Sequence, residues 1–250
     1  YKLGISETSV LDVVEFSNLF RLRNVKLNGI DKAGLEYISL NSSYGQCINR
    51  NSKLTIVNLY SSIQPYFGHF SMAVADLLQA NYISNEVFSA FSFREEKQLA
   101  VNVNESYVNG SDSHPALTEL KENLKKLIGK DQNCLFLVNA GAGSNENLMQ
   151  FNIGAEIGDD SFENGPFFSD KQEITSVFNL ANEMAMKSEM KALKHGTVGK
   201  PHPNHISWYI KKETNCNLLM LHVNVGILKK KGAEYYQYIE DFSRVFSGLS

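Results

Sequence analysis

The sequence predicts an α+β fold, and three observations carry that expectation. Helical spacing of apolar residues dominates the first half, the clearest strands come last, and no repeated strand–helix alternation marks a βαβ architecture. One domain over residues 1–250 is expected, helical over about 1–130 and sheet-bearing over about 131–250. That length is near the upper limit that a single hydrophobic core organises.

The elements follow in order. Val10, Val13, Val14, Phe16, Leu19 and Phe20 recur at helical spacing behind Ser6 or Thr8 as a cap. Asn28-Gly29 marks a hairpin, and residues 35–40 read as a strand. The turn-rich stretch from Asn41 to Cys47 leads into a predicted helix with Leu54, Ile56, Val57, Leu59, Tyr60 and Ile63, ending before Pro65. Further helices are expected at 70–80, 86–99 and 114–129, the last with Pro115 in its first turn and Gly129 past its end. Residues 134–143 read as a short buried strand entering a glycine turn. An acidic loop at 158–166 precedes a long helix of about twenty-five residues from near Asp170. Beyond the Gly/Pro-rich loop at 195–204, two strands are expected at 205–210 and 217–228, then a closing helix at 232–246.

Composition narrows the function classes. Hydrophobic residues are 43% and charged residues 20% of the chain, the balance of a globular domain rather than a disordered one. With 24 basic and 27 acidic side chains and a net charge of −3, there is no electrostatic footprint for nucleic acid or an anionic membrane. Lys229, Lys230 and Lys231 read as solvated turn residues. No apolar run reaches the length of a membrane span, and no signal-like segment opens the chain. The chain begins at Tyr1, as a piece cut from a longer polypeptide would. Cys47, Cys134 and Cys216 are too few and too scattered for a disulfide framework, so a reducing compartment is the expected setting. Oligomeric state is not legible.

The candidate chemistry centres on Cys47. It follows a glycine turn and is expected at the start of a helix, where unpaired N–H groups and the helix dipole favour the reactive thiolate. His205 opens a predicted strand, and a hairpin sets it opposite His222 or Asn224, depending on where the turn centres. Either side chain would orient the ring of a base that takes the thiol proton. Asn41, six positions before the cysteine, is the candidate for an oxyanion pocket.

These residues resemble the YopT-like group of papain-like cysteine proteases, bacterial effector and toxin domains. The match lies in Gly45-Gln46-Cys47, in His205 beginning "HISWYI", and in "LHVNVG" from Leu221 to Gly226. It covers about fifty C-terminal residues and about twenty around Cys47. The resemblance implies a papain-like architecture and a protein substrate or host partner met in a reducing host cytosol. It implies no cofactor or metal. Cleavage would proceed through a thioester, with hydrolysis, deamidation and acyl transfer sharing that chemistry. His222 departs from the pattern, standing where the group has its catalytic Asp. Asn224 or an acid from the 158–166 loop would then orient His205. The alternatives are a catalytically silent protein-binding domain of the same fold and a non-enzymatic helix-rich module.

Competing signals are weaker. His195, His202, His205 and His222 gather late in the chain, but no carboxylate or Cys pair stands at a zinc spacing beside them. "NAGAGSNE" lacks the glycines of a dinucleotide loop and the Gly-Lys-Ser/Thr of a P-loop. "DDSFENG" lacks the alternating ligands of a calcium loop. Met184, Met186 and Met190 read as packing. Cys134 reads as core, and Cys216 as an unactivated turn residue.

Overall fold

A computed structural model describes residues 42–61, 65–86, 115–140, 148–152, 179–180, 183, 191–193, 205–224 and 233–250. Helix and strand are mixed, as the α+β expectation holds, around one seven-stranded sheet of order β1-β3-β2-β4-β7-β5-β6. In chain order the strands are β1 (Gly45–Ile48), β2 (Leu54–Asn58), β3 (Asn81–Asn85), β4 (Asn133–Ala140), β5 (Leu148–Asn152), β6 (Lys191–Leu193) and β7 (Asn217–Asn224). The helices are α1 (Pro65–Leu77), α2 (Pro115–Leu127), α3 (Ile206–Thr214) and α4 (Ala233–Phe246), with a 3₁₀ turn at Ser247–Leu249.

The sheet is not confined to the C-terminal half. β3, β2, β4 and β7 run parallel at its centre, while β1 and β5 pair antiparallel on either side. The papain-like layout expected from the sequence, helices first and an antiparallel sheet last, is therefore corrected. The cause lies in β2. All five residues of Leu-Thr-Ile-Val-Asn are buried, because a central strand with helices on both faces hides both sets of side chains. Such a run loses the alternation that identifies a strand, and its apolar residues mimic a helix face.

A second correction concerns residues 205–210, which are helical rather than extended. Ile206, Ile210 and Thr214 are buried at i, i+4 and i+8, a period visible only when Lys211–Thr214 are read with them. Asn215, in the left-handed region at φ 52°, ends the helix. No hairpin joins 205–210 to β7. Instead β7 pairs in parallel with β4, from Asn133↔Asn217 to Ala140↔Asn224.

The helices near 70–80, 114–129 and 232–246 and the strands beginning near 134 and 217 stand where the sequence puts them, within a few residues. The long helix expected from Asp170 falls mostly outside the described residues; 179–180 and 183 are helical, but Lys191–Leu193 is a strand, so it stops short of 191. The elements expected before residue 42, at 87–99, at 158–166 and at 195–204 also lie outside them.

Alternate residues of β2 fix the two helical layers. Thr55 Oγ1 donates to the Leu127 carbonyl of α2 at 3.2 Å, while Asn58 Nδ2 donates to the Phe67 carbonyl of α1 at 3.0 Å. α1 packs with α4 on one face, through Phe70 against Phe242 and Tyr238. α2 packs with α3 on the other, tied at the rim by Lys125 and Glu213 at 3.0 Å.

Candidate functional site at the carboxyl ends of the parallel strands

Chain order and strand order together place a topological switch point. From β2 the chain passes through α1 to β3 on one side, then through α2, on the opposite face, to β4 on the other side of β2. The winding reverses between β2 and β4, and open sheets bind ligands beyond the carboxyl ends of the strands at such a point. Asn58 to Ser61, Asn85 and Glu86, and the ends of β4 and β7 stand at this edge.

A hydrogen-bonded polar cluster fills the side nearest α1. Asn58 Nδ2 donates to Ser71 Oγ at 2.7 Å, Ser71 Oγ lies 2.9 Å from Tyr82 Oη, and Ser71 Oγ donates to the Gly68 carbonyl at 2.9 Å. Asn85 Nδ2 donates to the Leu59 carbonyl at 3.1 Å, tying the ends of β2 and β3 together. A β-carbon on Gly68 would stand 3.1 Å from Ser61 Cβ, so the glycine allows the first turn of α1 to close on Ser61.

Glu86 ends this cluster. Ser84 Oγ donates to its Oε1 at 2.6 Å, and Ser61 Oγ is near enough to favour the charged carboxylate without completing a well-aligned hydrogen bond. Burial outweighs both hydroxyls and pushes the carboxyl up to about 7. A half-buried acid that exchanges its proton near neutrality, at the strand edge where ligands bind, is suited to general acid–base work.

His205 and His222 stand on the α2–α3 face. His205 is the N-cap of α3, its Nδ1 accepting from the Ser207 amide at 3.2 Å and lying 2.8 Å from Ser207 Oγ. Its ring meets Phe136 edge-on at 5.4 Å between centroids. His222 pairs with Val138, two residues beyond Phe136, so the structure sets both histidines on one face near the β4–β7 edge. Burial lowers His222 to about 4, and its Nε2 has no hydrogen-bond partner among the described residues. Asn224 pairs with Ala140 at the end of β7; its side chain, and all of Asn41, lie outside the described residues.

Cys47 is elsewhere. It lies on the edge strand β1, not at a helix start, and burial raises its pKa, with a hydrogen bond to Tyr44 and the charge of Lys126 opposing and Glu119 adding. It stands at the N-terminus of none of the described helices. The paired row Cys47–Ile83–Val57–Phe136 runs across three strand spacings, roughly 14 Å, before reaching the ring that His205 touches. Ile83 and Val57, both fully buried, fill the space between. The structure therefore does not bring Cys47 and His205 together.

Glu86 and Ser61 carry no local sequence signal. Glu86 reads as the first residue of a predicted helix at 86–99, and Ser61 as part of a helix that is in fact a strand and a turn. Only the register of β2 against β3, Asn58↔Ser84, makes them neighbours. Among the described residues, no group of three or more His, Cys, Asp or Glu side chains converges to hold a metal ion.

No protein-family model matches the sequence, and no curated protein matches it. Solved structures do. A bacteriophage poly-gamma-glutamate hydrolase superposes with a TM-score of 0.50 at 9% identity, covering 87% of this chain and 97% of its own. The zinc-free apo form of YNDL superposes with a TM-score of 0.45 at 14% identity, covering 86% of this chain and 94% of its own. The fold of this chain is similar to that of the phage hydrolase over almost the whole of both chains, and that likeness gives no support to the YopT-like resemblance.

Proposed function

We propose that this chain is a hydrolase of amide bonds, working in the crevice at the carboxyl ends of β2, β3 and β4, with Glu86 as the proton carrier. The observation behind this reading is Glu86 itself, a half-buried carboxyl held near neutrality beside Ser61 and Ser84. The likeness in fold to a hydrolase supports the reaction class.

In this reading the Glu86 carboxylate takes a proton from a water whose oxygen attacks the amide carbon, and the acid returns that proton to the leaving nitrogen. The first turn of α1, drawn close to Ser61 by Gly68, brings the positive end of a helix toward the developing oxyanion. A thioester route through Cys47 has no place here, because the thiol lies across the sheet and its pKa is raised rather than depressed.

The phage hydrolase is named for poly-gamma-glutamate, an amide-linked polymer, which makes that polymer and an ordinary polypeptide the two substrates to try first. Release of free amine is the readout. Wild-type chain should release amine from one of them, and Glu86→Gln should lower kcat about 100-fold or more while leaving binding in place. Binding without turnover by the wild type would instead favour a silent binding domain of this fold.

A further inference from the structure

We propose that the Ser61 hydroxyl is the donor that receives the negative oxygen formed when the amide is attacked, a role that rests on the reading of Glu86 as proton carrier. Backbone and side-chain geometry fix its place. Asn58 Oδ1 accepts from the Tyr60 amide at 2.9 Å, closing a turn that sets the chain leaving β2. Asn85 Nδ2 holds the Leu59 carbonyl at 3.1 Å, so Ser61, two residues beyond Leu59, comes beside Glu86, one residue beyond Asn85. Tyr82 and Ser84 share the β3 face that meets α1, and Ser84 Oγ continues that polar line to Glu86. From the other side, Ser61 Oγ lies 3.2 Å from the point a β-carbon on Gly68 would occupy, against the first turn of α1.

The hydroxyl is idle in the free chain. Ser61 is 1% exposed, yet its Oγ has no hydrogen-bond partner among the described residues. Its neighbours are engaged, Ser71 Oγ with the Gly68 carbonyl and Ser84 Oγ with Glu86. A buried hydroxyl without an acceptor costs stability. It gains rate, because a hydrogen bond made first in the transition state lowers the barrier without tightening the ground state. The dipoles of α1, thirteen residues long, favour negative charge at the same end.

The step balances without a co-reactant other than water. The water oxygen bonds to the amide carbon as its proton passes to Glu86, and the carbonyl electron pair moves onto oxygen. Ser61 O–H donates to that oxygen and keeps its own proton throughout. The carbonyl then re-forms, the carbon–nitrogen bond breaks, and Glu86 returns its proton to the leaving nitrogen, giving a carboxylic acid and an amine.

The test uses the full chain, comparing wild type, Ser61→Ala and Glu86→Gln for amine release from poly-gamma-glutamate and from a polypeptide, on the alkaline plateau of the pH profile. Ser61→Ala should lower kcat about 100-fold and leave KM within about twofold. A phosphonate analogue of the cleaved substrate, carrying a tetrahedral anion in place of the amide, should bind Ser61→Ala about tenfold or more weakly than wild type. The urea midpoint of Ser61→Ala should be no lower than that of wild type, since the free chain loses no hydrogen bond. Full activity in Ser61→Ala with none in Glu86→Gln overturns this proposal alone and leaves Glu86 as proton carrier. A lowered midpoint, or an acyl group trapped on Ser61 by acid quenching, also overturns it. Wild-type activity in Glu86→Gln, or no release by the wild type, removes the reading on which it rests and the proposal with it.

Discussion

His222 places an imidazole nitrogen in a buried position with no partner among the described residues, an arrangement that destabilises the fold. His222→Leu should therefore raise stability at pH 7 by about 1 kcal/mol, read from urea unfolding. The same variant tests a pH argument. His222 and His69 both fall from 6.5 to about 4 on folding, so the unfolded chain binds protons they refuse, and stability drops as pH falls below 6.5. Glu86 rises from 4.5 to about 7, so its contribution is full at low pH and is lost as pH climbs through that window. Among the described residues, two histidines against one carboxyl leave a net acid sensitivity, and His222→Leu should nearly flatten their contribution to stability between pH 4.5 and 6.5. A slope unchanged from wild type would refute this assignment. At this scale the expected pairing of His205 with His222 or Asn224 across a hairpin is not what the chain forms, because residues 206–214 are helical. The sequence was silent on Glu86, whose meaning comes from a strand register that no local spacing encodes.

The helix α3 owes its start to His205. The ring nitrogen that a catalytic base would use on one side is engaged with the Ser207 amide, so the side chain acts as a cap. His205→Asn, which also caps, should keep stability within a few tenths of a kcal/mol, whereas His205→Ala should lose about 1 kcal/mol or more, measured by thermal or urea unfolding. Equal losses in both would show that the ring's contact with Phe136, not the cap, matters. β1 gives a second element-level prediction. Gly45 has φ 152°, and a β-carbon there would collide with the Ser84 carbonyl oxygen and lie 2.7 Å from the Glu86 amide nitrogen. Gly45→Ala should detach β1 from β3 and lower stability by about 2 kcal/mol or more, visible as faster amide exchange at Tyr82–Asn85. Helices with one solvated face, such as α2 and α4, were readable from periodicity. β2 was not, since burial on both faces erases alternation, and α3 was truncated by reading six residues where nine were needed.

For the molecule as a whole, the mixture of helix and strand was legible and the topology was not. The error has one origin: taking Leu54–Ile63 for a helix removes the central strand, and with it the parallel core and the switch point at its carboxyl edge. That core, Ile83, Val57 and Phe136 among its fully buried residues, also separates Cys47 from His205. Distance across the sheet, rather than residue identity, decides against the cysteine–histidine site.

Cys47→Ala and Glu86→Gln, assayed side by side for amine release from poly-gamma-glutamate and from a polypeptide, with circular dichroism confirming that both fold, test this account most directly. Activity kept within about twofold in Cys47→Ala and reduced about 100-fold or more in Glu86→Gln is the predicted result. Activity lost in Cys47→Ala and retained in Glu86→Gln, or no release by the wild type, would contradict it.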